Sequence, residues 1–326
     1  MYKLSIVLPA YNGESHISQT LESITKQIVD NVELVVCDDR STDHTYQIVD
    51  NYRIKYKNVR LFQNSITLGM DKNFERVADL AEGEFIWFIG QDDILDEGAV
   101  QKVLNVLYDN PQIDFIYANY SQKSHNLDSI IVKKMLDIEE DILCSNKEQF
   151  YSITSLKNLP GFLPSYILKK YWWDGVNKSP FYGTQFIQIG ALLSVINYLN
   201  FYIIAHPYVI GRIPNDGWQQ DTMKLLDIFS GELEVIKYCH LNYPQNVPAK
   251  LFKEYYSERK LSLINYVLLL RSEGRILNKK LDKRFKYLFG KRYLLLIALL
   301  LKLPPTFYKA SRIQFLLRNI YKTIKM

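Results

Sequence analysis

The chain is poor in the residues that usually reveal a crosslink or a metal cage. Its three cysteines, Cys37, Cys144 and Cys239, are far apart, odd in number and form no C-x-x-C pair. That argues against a disulfide framework or a thiolate zinc site and fits a reducing compartment. The five histidines are equally scattered, so a His-rich metal site is not expected. No apolar run approaches the ~18–20 residues a spanning helix needs. The longest, YLLLIALLL at 293–301, is bounded by Lys291, Arg292 and Lys302, so it is expected to lie on a bilayer rather than cross one. The opening MYKLSIVLPAYNGES holds too short an apolar run for a secretory leader. No G-x-G-x-x-G follows the first apolar run, and G-x-x-x-x-G-K-[ST] and G-x-S-x-G are absent. A dinucleotide dehydrogenase, a P-loop enzyme and a nucleophile-elbow hydrolase are therefore disfavoured.

What the chain does have is a charge asymmetry and a clear alternation. Residues 250–326 carry 19 Lys+Arg against 4 Asp+Glu, whereas residues 1–249 carry 21 against 31. The total of +5 thus joins an acidic body to a strongly basic tail. KLSIVLP (3–9), VELVVC (32–37), NVRLFQ (58–63), FIWFI (85–89) and DFIYANYS (114–121) read as strands. Between them, 15–26, the segment after STD at 41–43, 72–81 and 99–107 show helical spacing. The pattern predicts an α/β fold with a mostly parallel central sheet flanked by helices. Further along, Ser145 with Glu148 resembles a capping box, YWWDG (171–175) reads as an aromatic turn, 180–199 contains a helix and 201–213 a strand or strand pair. After Gly217 the pattern is helical.

In such sheets ligands bind beyond the carboxyl ends of the strands, which directs attention to three loops. In PAYNGE, Tyr11 offers a face on which a planar base can stack, while Asn12 and Gly13 permit a tight turn; a plain strand-to-helix turn is the alternative. In DDRSTD, Asp38 and Asp39 can accept from a base or a ribose, or simply form a turn capping the next helix at Thr42. In GQDD, two adjacent carboxylates end a buried strand, and Asp93 is a candidate oxygen ligand for Mg²⁺ or Mn²⁺, with phosphates completing the shell.

Taken together, SIVLPAYNGE, ELVVCDDRSTDHT and NSITLGMDKNFERVADLAEGEFIWFIGQDD resemble, in this order and spacing, the inverting family 2 glycosyltransferases with the A-type fold. GMDKNF and FIGQDDIL further resemble the branch of abequosyltransferase-like O-antigen enzymes. The resemblance implies that Tyr11 stacks on the nucleotide base, framed by Pro9, Ala10 and Asn12, with Glu14 at a position often acidic in relatives. It implies that Asp39 contacts the base, that Lys72 stands near the nucleotide, and that Asp92 faces the ribose and Asp93 the metal. Gln91 holds the first position of the family's D-x-D signature. Many relatives take the acceptor proton with a Glu-Asp pair ahead of a Leu-Leu, but YGTQFIQIGALL (182–193) has Thr184 and Gln185 there. Asp174, Asp216 or Asp221 must then substitute, and Asp216 in RIPNDGW is the choice. His206 is either a metal ligand or an ordinary strand-end histidine.

These expectations give a catalytic domain over 1–215, its nucleotide-sugar half at 1–120 and its acceptor half at 121–215, and a basic helical region over 216–326. The implied reaction moves a sugar from a nucleoside diphosphate sugar, UDP first among candidates, to a lipid-linked glycan in surface polysaccharide synthesis, with Mn²⁺ or Mg²⁺ as cofactor. The tail mixes Lys and Arg with Leu, Ile, Phe and Tyr. That mixture suits an anionic membrane surface, hence a cytoplasmic protein peripheral to the inner face of the membrane. It carries no nucleic-acid reader motif. A non-catalytic nucleotide-sugar-binding protein of the same fold is the alternative.

Overall fold

Runs that are apolar on both faces become central strands, and the first third of the chain follows that rule. The computed structural model describes residues 2–159, 162–213 and 221–302. Leu4–Ala10 (β1), Val32–Asp38 (β2), Val59–Gln63 (β3) and Phe85–Phe88 (β4) alternate with Ile17–Thr25 (α1), Thr45–Lys55 (α2) and Met70–Asp79 (α3). Every residue of β2 and β4 is buried, as expected of parallel strands covered by helices on both sides. Then come Ile94–Leu95 (β5), Ala99–Asp109 (α4), Phe115–Lys123 (β6), Ile130–Val132 (β7), Ile142–Cys144 (β8) and Lys147–Asn158 (α5). Tyr166–Lys169 (β9), Lys170–Asp174 (α6), Ile187–Val195 (α7) and Phe201–Arg212 (β10) complete this part.

The sheet runs β3-β2-β1-β4-β9-β6-β10-β5, with β7 on β6 and β8 on β10. The first four strands are mutually parallel, and β10 is parallel to β6. Strand β9 enters between β4 and β6 antiparallel to both, and β5 is antiparallel to β10. Leu4, Ile6 and Leu8 pack with Leu34, Val36, Trp87 and Ile89 in one core that extends to Val100, Leu104 and Ile116.

Two local expectations change, and a third resolves to one of its two alternatives. The cap of α5 is Asn146, whose Oδ1 accepts from Gln149 N at 2.9 Å while Gln149 Oε1 accepts from Ser145 N at 2.8 Å. The capping pair is therefore shifted one residue from Ser145 and Glu148. The aromatic turn is the short helix α6, because Trp173 must turn inward, where it is buried with its ring 5.0 Å from that of Phe88. Residues 201–212 form one strand with a register shift between Ile204 and Val209.

The chain separates into two compact units, Met1–Pro214 and Asn215–Met326. In the second, Thr222–Asn242 (α8), Ala249–Ser272 (α9) and Lys279–Lys302 (α10, broken at Gly290) bury Leu226, Leu233 and Ile236 with Leu263, Leu270, Leu281 and Phe285. Glu232, buried on α8, accepts from Arg259 Nη2 at 2.7 Å and from the Tyr255 hydroxyl. Among the described residues no helix is long and apolar enough to cross a membrane.

Candidate active site

From β1 the chain moves outward to β2 and β3, then returns to β4 on the other side of β1. The order therefore reverses between β1 and β4, where the loops after the two strands diverge and leave a crevice. A cavity of about 540 Å³ opens there, lined by Pro9 and Ala10 at the end of β1 with Tyr11 next to them, Asp39 after β2, and Gly90, Gln91 and Asp92 after β4. Six residues expected from the sequence thus meet in one place. Its remaining wall, Thr67, Gly69, Met70, Asn73 and Phe74, comes from the segment before α3 and the first turns of that helix, and sequence reasoning did not assign Thr67, Gly69, Met70 or Phe74 to the site. The i, i+3, i+4 spacing of Met70, Asn73 and Phe74 was the available signal.

Tyr11 is 47% exposed and lines the cavity, so a planar group there could stack on its ring. Gln91 reaches back to it: Oε1 accepts from Tyr11 N at 2.8 Å and Nε2 donates to Tyr11 O at 3.0 Å. Asp39 is only 2% exposed. Its Oδ1 accepts from Asn64 Nδ2 at 2.8 Å and Leu68 N at 2.7 Å, and its Oδ2 from Gly69 N at 2.8 Å. Asp39 therefore builds the wall it belongs to, with acceptor capacity left on Oδ2.

Three expected residues lie off the cavity wall. Asn12, at φ 48°, accepts from Thr42 N at 2.9 Å and joins the first two loops. Thr42 is therefore a partner in that loop contact, while Asp43 Oδ1 accepts from Thr45 N at the start of α2. Glu14 accepts from His44 N and meets His44 Nδ1, both at 2.9 Å. The His44 backbone bond is the main reason its carboxyl lies below the usual range. Lys72 projects from the opposite face of α3 into a depression with Glu75, Arg76, Asp79 and Tyr182.

The two adjacent carboxylates converge. A Cβ placed on Gly90 would lie 2.5 Å from Asp93 Oδ2 and 3.1 Å from Asp92 Oδ1, so both oxygens approach one point that only glycine leaves open. Asp92 lines the cavity, whereas Asp93 is 6% exposed and turned beneath Gly90. Burial, and next the Asp92 charge, push the Asp93 carboxyl well above the usual range. Among the described residues no three His, Cys, Asp or Glu gather as a cage. The donor set is one or two carboxylates, which fits a hard divalent cation whose other ligands are phosphate oxygens and water. His206 is exposed, edge-on to Tyr208 with ring centres 4.4 Å apart.

Of the possible bases, Asp216 lies outside the described residues. Asp221 caps α8 through Met223 N at 2.9 Å and pairs with Arg275 at 3.1 Å. Asp174 pairs with Lys170 at 2.7 Å. Thr184 is buried, its hydroxyl donating to Phe181 O at 2.5 Å.

Residues 5–162 match the family model described as "Glycosyl transferase family 2". Abequosyltransferase RfbV of Salmonella typhimurium is 27% identical over 260 residues, 76% of this chain and 77% of its own. An Escherichia coli protein, UDP-Glc:alpha-D-GlcNAc-diphosphoundecaprenol beta-1,3-glucosyltransferase WfgD, is 32% identical over 126 residues, 38% of this chain and 48% of its own. The match thus spans under half of that second relative. Residues 1–349 of Staphylococcus aureus TarS, solved in complex with UDP-GlcNAc, superpose with a TM-score of 0.63 over 88% of this chain and 80% of that one, at 20% identity. The likeness establishes the A-type fold, and the matched model identifies residues 5–162 as a family 2 glycosyltransferase domain.

Proposed function

We propose that this protein transfers a sugar, with inversion, from a nucleoside diphosphate sugar to a hydroxyl of a lipid-linked glycan during synthesis of a bacterial surface polysaccharide. The observation that carries this reading is the cavity at the strand-order reversal, where the exposed Tyr11 ring and the carboxylates of Asp39 and Asp92 meet, with Asp93 beneath Gly90 directly behind Asp92. A nucleobase stacks on Tyr11 and takes the remaining acceptor capacity of Asp39, and Asp92 faces the ribose and diphosphate. UDP is the first candidate because the TarS fragment was solved with a UDP-sugar. The lipid-linked acceptor follows the acceptor in the name of the E. coli relative.

The transfer is one displacement. The acceptor oxygen bonds to the anomeric carbon, the bond from that carbon to the diphosphate oxygen breaks, and the hydroxyl proton passes to a carboxylate. Thr184 and Gln185 are neutral and cannot take it. Asp216, in the segment after β10, is the proposed base. Asp92 and Asp93 would hold Mg²⁺ or Mn²⁺, which when bound offsets the charge of the leaving diphosphate. The second unit, with its basic tail, is proposed to rest on the anionic inner face of the membrane.

Calorimetric titration with UDP, GDP, CDP and dTDP, each with and without Mn²⁺, tests the reading. One of them should bind, more tightly with the metal; if none binds, the reading is wrong. A non-catalytic nucleotide-sugar-binding protein is the second reading, favoured by the buried, engaged Thr184. Metal-dependent hydrolysis of the donor, abolished in Asp216→Asn without loss of nucleotide binding, favours the enzyme. Full turnover in that variant removes Asp216 from the role.

A further inference from the structure

The first two turns of α3 serve two surfaces. Gly69, Met70, Asn73 and Phe74 face the cavity. Asp71, Lys72 and Glu75, on another face of the same turns, meet the segment 182–186 that leads into α7. Asp71 Oδ2 accepts from Gly183 N at 2.7 Å and from Gln185 N at 3.1 Å. The Glu75 carboxylate accepts from the Tyr182 hydroxyl. Lys72 Nζ lies 5.4 Å from the centre of the Tyr182 ring.

Segment 182–186 does not hold its course by local preference alone. Gly183 sits at φ 80° and Gln185 at φ 71°. A non-glycine residue in that region costs on the order of 1 kcal/mol, and such backbone persists only where its surroundings enforce it. Local turn bonds, Thr184 N to Phe181 O and Phe186 N to Thr184 Oγ1, each 3.2 Å, hold part of it; the buried carboxylate of Asp71 adds a hold from α3, taking an amide on either side of Thr184.

The same turns are pinned to the end of β2. Asp39 holds the amides of Leu68 and Gly69, Asn73 Nδ2 donates to Cys37 O at 3.0 Å, and Asn73 N bonds to Gly69 O at 3.0 Å. A ligand that draws on Asp39 or Asn73 therefore acts on the turn that carries Asp71. We propose that Asp71 is a positioning residue that ties the course of segment 182–186 to occupancy of the cavity, so that the segment facing the acceptor is set when a nucleoside diphosphate is bound. This rests on the nucleotide-sugar reading above. Asp71 acts through backbone amides and is not offered as the base.

Hydrogen exchange of the full chain, with and without saturating UDP and Mn²⁺, reads the coupling directly. UDP should slow exchange in the peptide spanning 182–186 by about fivefold, at the lower end of usual coupling between sites. Asp71→Ala should abolish that slowing, and Asp71→Asn, which keeps an acceptor oxygen, should retain part of it. Reciprocity bounds the loss of UDP affinity in Asp71→Ala at the same factor, about fivefold. Unchanged exchange in the wild type with UDP demonstrably bound overturns the proposal, whatever the variants do. Equal slowing in Asp71→Ala overturns it as well. If calorimetry finds no nucleoside diphosphate bound, the functional reading itself fails and this proposal with it.

Discussion

The side-chain amide of Gln91 pairs with both backbone groups of Tyr11, accepting from its N–H at 2.8 Å and donating to its carbonyl at 3.0 Å. This pair joins the loops after β1 and β4 across the point where strand order reverses, and so fixes the width of the crevice. An acid at position 91, as in the D-x-D signature, can only accept. Gln91→Glu should therefore set a carboxylate against the Tyr11 carbonyl and cost about 1–2 kcal/mol of stability in urea denaturation. It should also weaken UDP binding by calorimetry. Unchanged values on both counts would make the pair incidental.

Gly90 is the residue whose missing side chain lets the oxygens of Asp92 and Asp93 approach one point. Gly90→Ala should push them apart and weaken Mn²⁺ binding in the presence of UDP by at least about tenfold, the scale seen when the support of a metal ligand is lost. Electron paramagnetic resonance titration of Mn²⁺ measures this. The melting temperature is the control for global damage.

Tyr11 is exposed, so its contribution belongs to a ligand rather than to the core. Tyr11→Ala should lower UDP affinity by about 1–3 kcal/mol, the usual worth of a base stacked on an aromatic ring. Tyr11→Phe should bind almost as the wild type does. Neither change should move the denaturation midpoint appreciably.

At the opposite end of the sheet, Glu33 is fully buried on β2 and accepts from Ser5 Oγ at 2.5 Å, Glu82 N at 2.6 Å and Arg60 Nη1 at 2.8 Å. Arg60→Ala strips that charge of its counterion. A fully buried pair broken in this way costs 3–5 kcal/mol, and about 2–3 kcal/mol is expected here because the Arg60 side chain is partly solvated. Urea denaturation at neutral pH reads the loss, while UDP binding, at the far end of the strands, should persist.

Residues 303–326 carry five Lys+Arg and no acid, which at about 1 kcal/mol per basic residue near an anionic surface is enough to hold a protein on vesicles. The full chain should float with phosphatidylglycerol vesicles and be released by salt. Truncation after Lys302 should reduce flotation while sparing α10, whose Leu281, Phe285 and Leu288 are buried. Equal flotation of both forms would remove the tail from the role.

The elements that could be read from the chain are those whose signal is local. Leu4–Ala10, Val32–Asp38 and Phe85–Phe88 are apolar on both faces and so identify themselves as central parallel strands. Tyr11 and Asp39 directly follow such strands and Asp92 lies in the loop after one, which is why their meeting in one cavity was foreseeable. The four residues of β9 carry no comparable signal. Their place between β4 and β6 depends on pairing with strands far away in sequence.

Lys72 illustrates the same limit. The resemblance places it near the nucleotide, whereas the rotation of α3 turns Met70, Asn73 and Phe74 to the cavity and Lys72 toward Tyr182. Which carboxylate faces the cavity, Asp92 or Asp93, was likewise settled by the turn at Gly90. Strand identity and loop chemistry are written in neighbouring residues, because burial on both faces and turn-forming residues act over a few positions. Helix rotation, antiparallel insertion and the grip of Asp71 on Gly183 and Gln185 exist only once distant segments pack, because each is fixed by contacts that a linear pattern does not contain.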